Sequence, residues 1–501
     1  MKILIIGGGV AGLSAGSYAQ MAGFESAIYE KCGVLGGQCT GWDRKGYHID
    51  GCVHWLTGTK EGNDLHRVWQ ELGIIRGNNI IQLDRFGVYE YDGVTISLWK
   101  DLDRLQAELL AISPGDEKPI RNMIRDIRIM QSMVLPLDRP VDMMPLGEKL
   151  KMLKALMGAG GILTKNSKTS CAVYAKRFKH PALQKLIERR VPPYFSVLAF
   201  IFAMGNFSAG NGALPAGGSR GMVDRMEKRY RELGGQVHTG MTAEEIIVRG
   251  DRARGVRFSG GEIINADYVI ASCDVHITLK KLLKNRYIDK KFEYRYRHPR
   301  EYPVLSSFHA AFGVREDLRD YPQVLVFETE PFTVGVTGYA SLGMRNYAYE
   351  KDFAPPGCTT LTAALNQTAG DYAFWAELYT GDRERYVREK KRIAGAIQER
   401  LERRFPELRG KIEFLDAATP MTYHRYTGAY MGAWMSFMMT PKTKMLMHRG
   451  AIRGLKNCLL SGQWLQPPGG LPLAALYGKY AILRICKKEK IAFGTVLPGA
   501  P

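Results

Sequence analysis

A glycine-rich turn near the start of the chain has the residue types and spacing that hold a pyrophosphate. Gly7, Gly9 and Gly12 fit the pattern G-x-G-x-x-G and follow the apolar run at residues 2–6 (KILII), which predicts a buried parallel strand. Glycine permits a tight turn at the first position, close approach of a phosphate at the second and close helix packing at the third. Val10 and Ala11 open the helix predicted next, whose free N–H groups and positive dipole end favour an anion.

A second strand and its terminal acid complete this unit. The segment 24–30 (FESAIYE) predicts a strand that ends at Glu30, 18 residues after Gly12. A carboxylate there can accept hydrogen bonds from a ribose diol, and its charge disfavours a 2′-phosphate. The strand, turn, helix, strand and acid together predict a dinucleotide site.

Further segments provide the elements that would complete such a domain. A second glycine pair follows Lys31 in the string EKCGVLGGQ, and it is either a surface turn or a stretch of backbone close to a cofactor. Residues 215–280 predict a helix and four strands, the last three at 244–249, 254–258 and 266–272. Residues 455–462 predict a strand and turn, and the string QWLQPPGGLP then leads into an amphipathic helix.

Three strings carry a resemblance to a known family. The pattern E-K-x-x-x-x-G-G at residues 30–37 looks like that of FAD proteins related to amine oxidases and carotene desaturases. Residues 416–428 (DAATPMTYHRYTG) resemble a late motif of the form D-x-x-T-P-x-T-x-x-R-Y, and residues 47–58 (YHIDGCVHWLTG) resemble the saturase-type string Y-x-F-D-x-G-x-H-Y-x-G. Over nearly its whole length the chain is similar to the phytoene desaturase, carotenoid isomerase and retinol saturase family of flavoproteins.

The resemblance implies an α/β fold with two parts. The first is a Rossmann-type FAD-binding domain of the glutathione-reductase and amine-oxidase type, assembled from residues 1–85, 215–280 and 450–501. The second is an α+β substrate-binding domain built from residues 86–214 and 281–449. The domain boundaries are predictions from the positions of these strings.

The resemblance also implies that the cofactor is FAD and which residues hold it. The backbone at Ala243 would face the adenine, and the loop after the C-terminal strand would approach the flavin, with the dipole of the following helix directed at the pyrimidine N1/O2. The residues predicted to bind the cofactor are Gly7, Gly9, Val10, Ala11, Gly12, Glu30, Lys31, Gly36, Gly37, Gln38, Ala243, Ser272, Gly462, Gly470 and Leu471. No second complete G-x-G-x-x-G unit is visible, so a stable NAD site is not predicted.

Three residues are candidates for catalysis. His54 matches the histidine of the saturase-type string and could act as a general acid or orient a polar end of the substrate, although a packed histidine beside the cofactor is an equal alternative. Arg425 and Tyr426 lie in the late motif, and Arg425 could equally be a structural ion-pair partner. No metal site is predicted, because none of the eight cysteines forms a CxxC pair.

These features predict an FAD-dependent oxidoreductase that acts on C–C or C=C bonds of a lipophilic substrate such as a polyene, retinoid or other isoprenoid. The reaction could be desaturation, saturation or isomerisation, and the electron donor or acceptor is not identified. Gln38-Cys39 stands where many carotene desaturases carry Arg, which argues against phytoene itself as substrate. The alternatives are an amine-oxidase-like enzyme acting on C–N bonds and a flavin-bearing protein without catalytic activity.

The positive charge of the chain, formally +20, is concentrated in two segments. Residues 146–190 contain 11 Lys/Arg against two acidic residues, and residues 280–300 contain 9 against two. The segment from Leu150 to Met157 places apolar residues at helical spacing between lysines. A solvated basic face and a membrane-surface patch for anionic lipids both fit this pattern. Nucleic acid is not predicted as a partner, because no zinc-finger, KH or RRM signature is present.

Composition sets the remaining limits. Hydrophobic content of 45% and aromatic content of 10% exclude disorder as the main state. The sequence contains no run of about 18 apolar residues, so a membrane-spanning helix is not predicted. The expected location is the cytoplasm, with possible peripheral association with a membrane.

Overall fold

A computed structural model describes residues 1–77 and 79–499. The β-strands are β1 (Lys2–Ile6), β2 (Glu25–Glu30), β3 (Gly41–Arg44), β4 (Tyr47–Asp50), β5 (Leu56–Thr57), β6 (Ile80–Ile81), β7 (Arg85–Tyr91), β8 (Val94–Trp99), β9 (Gly212–Pro215), β10 (Gln236–Thr239), β11 (Ala243–Arg249), β12 (Arg252–Phe258), β13 (Ile263–Asn265), β14 (Tyr268–Ala271), β15 (Ser306–Val314), β16 (Val324–Val334), β17 (Thr337–Asn346), β18 (Thr359–Gln367), β19 (Ile412–Ala418) and β20 (Cys458–Leu460).

The α-helices lie between these strands and, for the most part, pack on the two larger sheets described below. They are α1 (Val10–Met21), α2 (Asp64–Glu71), α3 (Leu102–Ile112), α4 (Glu117–Gln131), α5 (Leu146–Ser167), α6 (Cys171–Ala175), α7 (Pro181–Arg190), α8 (Leu198–Ser208), α9 (Gly218–Glu232), α10 (Val275–Ile277), α11 (Lys290–Arg297), α12 (Ala369–Gly381), α13 (Arg383–Arg404), α14 (Pro420–Thr427) and α15 (Leu471–Glu489).

A five-stranded parallel sheet forms the nucleotide-binding part of the fold. Its strand order is β10-β2-β1-β14-β20, so it joins strands from three distant parts of the chain. The central strand β1 has its apolar residues 3–6 buried, as a parallel strand covered on both faces requires. Helices α1 and α15 pack closely on each other beside this sheet, because Gly478 brings the backbone of α15 to Ala11 and Ser14.

The strands predicted between residues 244 and 272 divide between two sheets. β11, β12 and the short strand β13, which the sequence did not predict, form an antiparallel sheet of their own. β14 instead joins the parallel sheet through its register with β1, in which Ile5 pairs with Ile270. The four residues of β14 (YVIA) are apolar and fully buried, as a parallel strand covered on both faces requires, whereas β13 is partly exposed.

A seven-stranded sheet forms the other side of the molecule. Its strand order is β19-β15-β18-β17-β16-β7-β8, and only the pair β16 and β7 is parallel among the pairs that the structure describes. Helices α12 and α13 cover one of its faces, where Trp375, Ile393, Ile397 and Leu401 are buried against strand residues such as Phe308. Buried residues of the helices α3 to α8 belong to the same apolar core as those of β1.

Helix α5 has an unusual surface. Leu146, Leu150, Leu153 and Met157 are 53–74% exposed, although they are large and apolar. Within the described part of the chain, no helix has both the length and the apolar character needed to cross a membrane.

Candidate active site

One large cavity lies between the carboxyl ends of the parallel strands and the seven-stranded sheet. Its volume is about 1620 Å³. Ordinary small-molecule sites occupy roughly 300–1,000 Å³, so this cavity has room for a dinucleotide and a second ligand. Its walls are mostly apolar and include Phe200, Phe202 and Met204 of α8.

The first glycine turn has the backbone that its motif predicts. Gly7 adopts φ +99°, a conformation that favours glycine. A Cβ atom added to Gly12 would lie 1.9 Å from the carbonyl oxygen of Gly7, so only glycine allows α1 to begin directly against the turn. The N–H groups at the start of α1, at Val10 and Ala11, border the cavity and can donate to an anion.

Glu30 and the second glycine pair lie beside this turn. The Glu30 carboxylate accepts hydrogen bonds from the N–H groups of Gly8 and Cys32, both at 2.8 Å, which fix its position at the cavity wall. The Gly36 N–H donates to the Gly8 carbonyl oxygen at 2.9 Å. A Cβ atom on Gly36 would lie 2.4 Å from the Cys39 carbonyl oxygen, so this pair is a close backbone approach rather than a loose surface turn.

The C-terminal loop closes the same side of the cavity. Gly462 and Gly470 adopt φ +118° and +95°, and the Gly470 N–H donates to Gln463 Oε1 at 2.9 Å. Helix α15 begins at Leu471, so its N-terminal end faces the cavity. The Gln38 side chain donates to the Ala433 carbonyl oxygen and ties this region to the second glycine pair.

Two buried hydroxyls without a hydrogen-bond partner indicate that this end of the cavity suits a polar ligand. Ser272 follows β14 and Ser461 follows β20, and both line the cavity. Their Oγ atoms are buried without a hydrogen-bond partner in the described part of the chain. Buried hydroxyls are normally satisfied, so a ligand with polar groups fits between these two strand ends. The cradle of glycines, helix N-termini and hydroxyls suits a dinucleotide.

The structure brings nearly all the predicted cofactor residues together. The cavity is bordered by Gly7, Gly9, Val10, Ala11, Glu30, Lys31, Gly36, Gly37, Gln38, Ala243, Ser272, Gly462, Gly470 and Leu471. Gly12 instead packs against Gly7, the role that its position in the motif predicts. Their assignment to a particular cofactor stays a prediction.

The predicted catalytic residues occupy different positions. His54 borders the cavity and is exposed to its interior, although protein surrounds it on the other sides. Desolvation by that protein, together with the positive charges of Arg345 and Arg190 and with His309, holds the pKa of His54 well below the usual range. A cationic His54 is therefore disfavoured at neutral pH, and a role as an imidazolium acid requires a shift on ligand binding. The neutral ring can still donate or accept a hydrogen bond.

Tyr426 and Arg425 lie at the rim of the nucleotide end. Tyr426 borders the cavity and is 55% exposed, whereas the Arg425 guanidinium lies over the rings of Tyr426 and Tyr379 at 4.4 and 5.8 Å. The Lys31 ammonium donates to the Arg425 carbonyl oxygen at 2.9 Å. Arg425 thus makes its contacts with protein groups, and its catalytic role stays a prediction.

Sequence reasoning missed three polar residues on the cavity wall, His309, Arg345 and Arg190, and ranked a fourth, Tyr423, below Arg425 and Tyr426 as a candidate. His309 of β15 is 4% exposed, its Nδ1 has no partner in the described chain, and burial lowers its pKa to about 4. Burial also raises the pKa of Tyr423, so its phenol stays protonated. Arg345 of β17 and Arg190 of α7 face the same space. No motif marks His309, Arg345 or Arg190, and only Tyr423 lies in a string that the sequence analysis singled out.

Comparison with known proteins now identifies the type of domain and the relatives. A family model described as an NAD(P)-binding Rossmann-like domain matches residues 5–72. The chain is 22% identical to the 4,4′-diaponeurosporene oxygenase of Staphylococcus aureus (strain MW2), over 97% of this chain and 98% of that protein. It is 23% identical to the chloroplastic prolycopene isomerase of Daucus carota, over 86% and 71%. It is 22% identical to the lycopene-forming phytoene desaturase of Pseudescherichia vulneris, over 94% and 96%.

Solved structures show the same fold. An oxidoreductase from Methanosarcina mazei matches with a TM-score of 0.59 at 16% identity, over 97% of this chain and 100% of that one. Wild-type putrescine oxidase bound to putrescine matches with a TM-score of 0.62 at 12% identity, over 97% and 99%. The predicted α/β class with a Rossmann-type domain is therefore confirmed, and the fold is shared with these solved structures.

In sequence the chain is therefore similar, over 86–97% of its length, to an oxygenase, an isomerase and a desaturase whose names specify carotenoids. The resemblance drawn from the three sequence strings is confirmed. The dinucleotide-binding character of the N-terminal region is confirmed as well, at the level of a Rossmann-like domain.

Proposed function

We propose that this protein is an FAD-dependent oxidoreductase that acts on C–C or C=C bonds of a long lipophilic substrate such as a polyene or another isoprenoid. The observation that carries the proposal is that one continuous cavity joins the dinucleotide cradle to a mostly apolar space. The related proteins named above include a phytoene desaturase and a prolycopene isomerase, whose names specify carotenoid substrates.

The residues that would hold FAD are those of the cradle. The turn at Gly7 to Gly12 would place the start of α1 against the pyrophosphate, because Val10 and Ala11 border the cavity and the first N–H groups of a helix have no acceptor within it. Glu30 would accept hydrogen bonds from the ribose, and the N-terminal end of α15 would face the flavin. Bound FAD would supply hydride transfer at N5. We infer that residues 1–85, 215–280 and 450–501 form this FAD-binding domain and that residues 86–214 and 281–449 form the substrate-binding domain.

The chain's own side chains would position the substrate and exclude water. Trp55, Phe86 and Met435 line the cavity and provide apolar contacts for an unsaturated chain. His54 would orient a polar end of the substrate as a neutral imidazole, because its pKa is held low. Tyr423, which stays protonated, would hold a proton at its Oη within the same cavity. Tyr426 would border the entrance near the nucleotide, with Arg425 packed on its ring.

We also infer that the substrate enters from a membrane surface. Val134, Phe202 and Met445 are 67%, 40% and 62% exposed and also line the cavity, so they mark an apolar mouth. Leu156 and Leu163 of α5 line the same cavity, while the exposed residues of α5 alternate with lysines. An amphipathic basic helix with an apolar face suits the headgroup region of an anionic bilayer.

The second basic segment, 280–300, is less suited to this role. Lys280 pairs with Glu293 and Lys284 pairs with Glu245, so part of its charge is neutralised within the protein. We therefore assign it a supporting contribution to membrane contact, and α5 the main one.

An amine substrate fits the cavity poorly. Arg190 and Arg345 make its apolar part cationic, and a protonated amine would be repelled there. The putrescine oxidase match therefore supports the fold and not the same substrate.

The test is product analysis. Purified protein reconstituted with FAD is incubated with polyenes of graded saturation, with and without a reductant or a quinone, and the products are separated by chromatography and mass. A change of two hydrogens, or of geometry alone, supports the proposal and identifies desaturation, saturation or isomerisation. Turnover of amines but not polyenes, or bound FAD without any product, would refute it.

A further inference from the structure

Two arginines on the cavity wall have no carboxylate partner. Arg190, at the end of α7, makes no hydrogen bond to the described residues, and its Nε is buried without a partner. Its guanidinium lies 4.7 Å from the centre of the Phe86 ring. Arg345 of β17 donates one hydrogen bond, from Nη1 to the His54 carbonyl oxygen at 3.2 Å. Each guanidinium has five N–H donors, so most of these donors point at cavity or ring surface.

Among the four arginines that border the cavity, the other two, Arg85 and Arg189, each form an ion pair in the described structure. Arg189, adjacent to Arg190, pairs with Glu328 at 3.0 Å. The acidic residues that line the cavity are used elsewhere: Glu30 accepts from Gly8 and Cys32, Asp274 from His276 and Tyr430, and Asp64 from Leu137 and Asp138. The fourth, Glu61, forms no ion pair with either arginine in the described structure.

The surroundings of the pair are apolar and aromatic. Phe86 lies 5.1 Å from Trp55 and 5.0 Å from Phe207, ring centre to ring centre. Both arginines are partly buried. Charges withdrawn from water are normally paired because desolvation is costly, so two unpaired cations in such walls point to a ligand that neutralises them. Arg345 and Arg190 also suppress protonation of His54, which agrees with an excess of positive charge there.

We propose that Arg190 and Arg345 bind an anionic head group, a carboxylate or a phosphate, at one end of the lipophilic substrate. This rests on the proposed function and narrows its substrate class from neutral hydrocarbons to polyenes or isoprenoids with one acidic end. Guanidinium groups bind both anions through paired N–H donors. The pyrophosphate of a dinucleotide has its own donors at the start of α1, so it leaves this pair free.

The geometry also orients such a substrate. The anionic end lies against β17 and the end of α7, beside His54, and the chain extends along the apolar walls of α8 toward the mouth at Val134 and Phe202. A head group at this depth would fix which bond of the chain lies beside the cofactor cradle. The pair is therefore a determinant of both substrate class and position of reaction.

The test compares ligands that share a chain but differ at one end. Binding of a polyene carboxylate, the corresponding alcohol and the corresponding hydrocarbon is measured by absorption titration, and an isoprenoid monophosphate is compared with its alcohol by calorimetry. The variants are Arg190→Gln, Arg345→Gln and Arg345→Lys. Arg388→Gln, an exposed arginine that pairs with Glu384 on α13, is the control. Flavin content is measured in every sample.

The carboxylate or the phosphate should bind at least about tenfold more tightly than its neutral partner, since a charge-assisted hydrogen bond contributes about 1.5–3 kcal/mol. Each Gln variant should remove most of that preference and leave hydrocarbon binding within about threefold, and Arg345→Lys should retain part of it. The anion whose affinity exceeds that of its neutral partner by the larger factor identifies the head group.

Equal binding of acid, alcohol and hydrocarbon to the wild type would overturn the inference. An equal loss of affinity for all three ligands in the Gln variants would also overturn it. The flavin measurement separates the two proposals. Protein that contains flavin but shows no anion preference refutes this inference alone, whereas protein that binds the acid but no flavin refutes the proposed function alone.

Discussion

The substitution Gly12→Ala tests the turn that positions the dinucleotide. The new Cβ would lie 1.9 Å from the Gly7 carbonyl oxygen, while ordinary contacts begin at 3.4 Å. Helix α1 must therefore move by about 1.5 Å in a close-packed core. Overpacking of this kind costs about 1–3 kcal/mol of folding free energy. Displacing two N–H donors from a phosphate, at about 1.5–3 kcal/mol each, weakens FAD binding by at least ~100-fold.

The assay measures both effects separately. Urea unfolding gives the free energy of unfolding, and titration of the apoprotein with FAD, followed by flavin fluorescence, gives the affinity. Gly395→Ala is the matched control: Gly395 lies in helix α13, and its added Cβ meets nothing within 4 Å. This control should be more stable than the wild type by up to about 1 kcal/mol and bind FAD unchanged. A Gly12→Ala protein with wild-type stability and FAD affinity would refute the reasoning.

Three other perturbations have expected outcomes. Burial lowers the pKa of His309 from 6.5 to about 4, so the wild type should lose up to about 3 kcal/mol of unfolding free energy as the pH falls from 6.5 to 4. Urea unfolding at pH 7.5 and 4.5 should show a smaller loss for His309→Gln, and an identical pH dependence of the two proteins would contradict this. Lys479 is 1% exposed and pairs with Glu71 at 3.4 Å and Asp138 at 2.8 Å, and Arg67 pairs with the same two carboxylates. Lys479→Met should lower the free energy of unfolding by up to about 3 kcal/mol, because the buried Glu71 keeps only the more distant cation; an unchanged urea midpoint would show that the cluster is not charged. Replacing both Leu153 and Met157 of α5 by Ser should reduce co-sedimentation with anionic vesicles. The free energy of unfolding should stay within about 0.5 kcal/mol of the wild-type value, because both side chains are exposed; vesicle binding at the wild-type level would exclude α5 as the contact.

The parts of the fold set by adjacent residues were predictable from the sequence. The run KILII, the turn at Gly7 to Gly12 and the acid at Glu30 specify a strand, a tight turn and a strand end within 30 residues. The helix after Gly470 was predictable for the same reason. In each case the signal is a local backbone requirement, such as positive φ at Gly7, that few residues other than glycine satisfy.

The seven-stranded sheet was predictable only as a general α+β part. Its pairing β16 to β7 joins Leu325 to Val88, and β15 pairs with both β18 and β19. Registers between such distant segments depend on which faces become buried together, and local patterns do not contain that information. The sequence did not predict β13 as a separate strand, because three residues with mostly exposed side chains have too little hydrophobic periodicity to indicate one.

The polar residues of the apolar cavity were missed for the same physical reason. The charge count placed Arg190 in a basic surface segment, whereas the fold turns it into the cavity. Arg345 and His309 stand on strands without any motif, and they face His54 only because β15 and β17 belong to one sheet. Their chemistry emerges from tertiary packing.

The most direct test of the central claim is an anaerobic absorption experiment on the purified, FAD-reconstituted protein. We expect flavin bands that are retained after gel filtration. One class of lipophilic polyene should change the redox state of the flavin: its bands reappear with chemically reduced protein for saturation, or bleach with oxidised protein for desaturation. Flavin bands absent after reconstitution, or bands that no lipophilic compound alters while polar amines do, would contradict it.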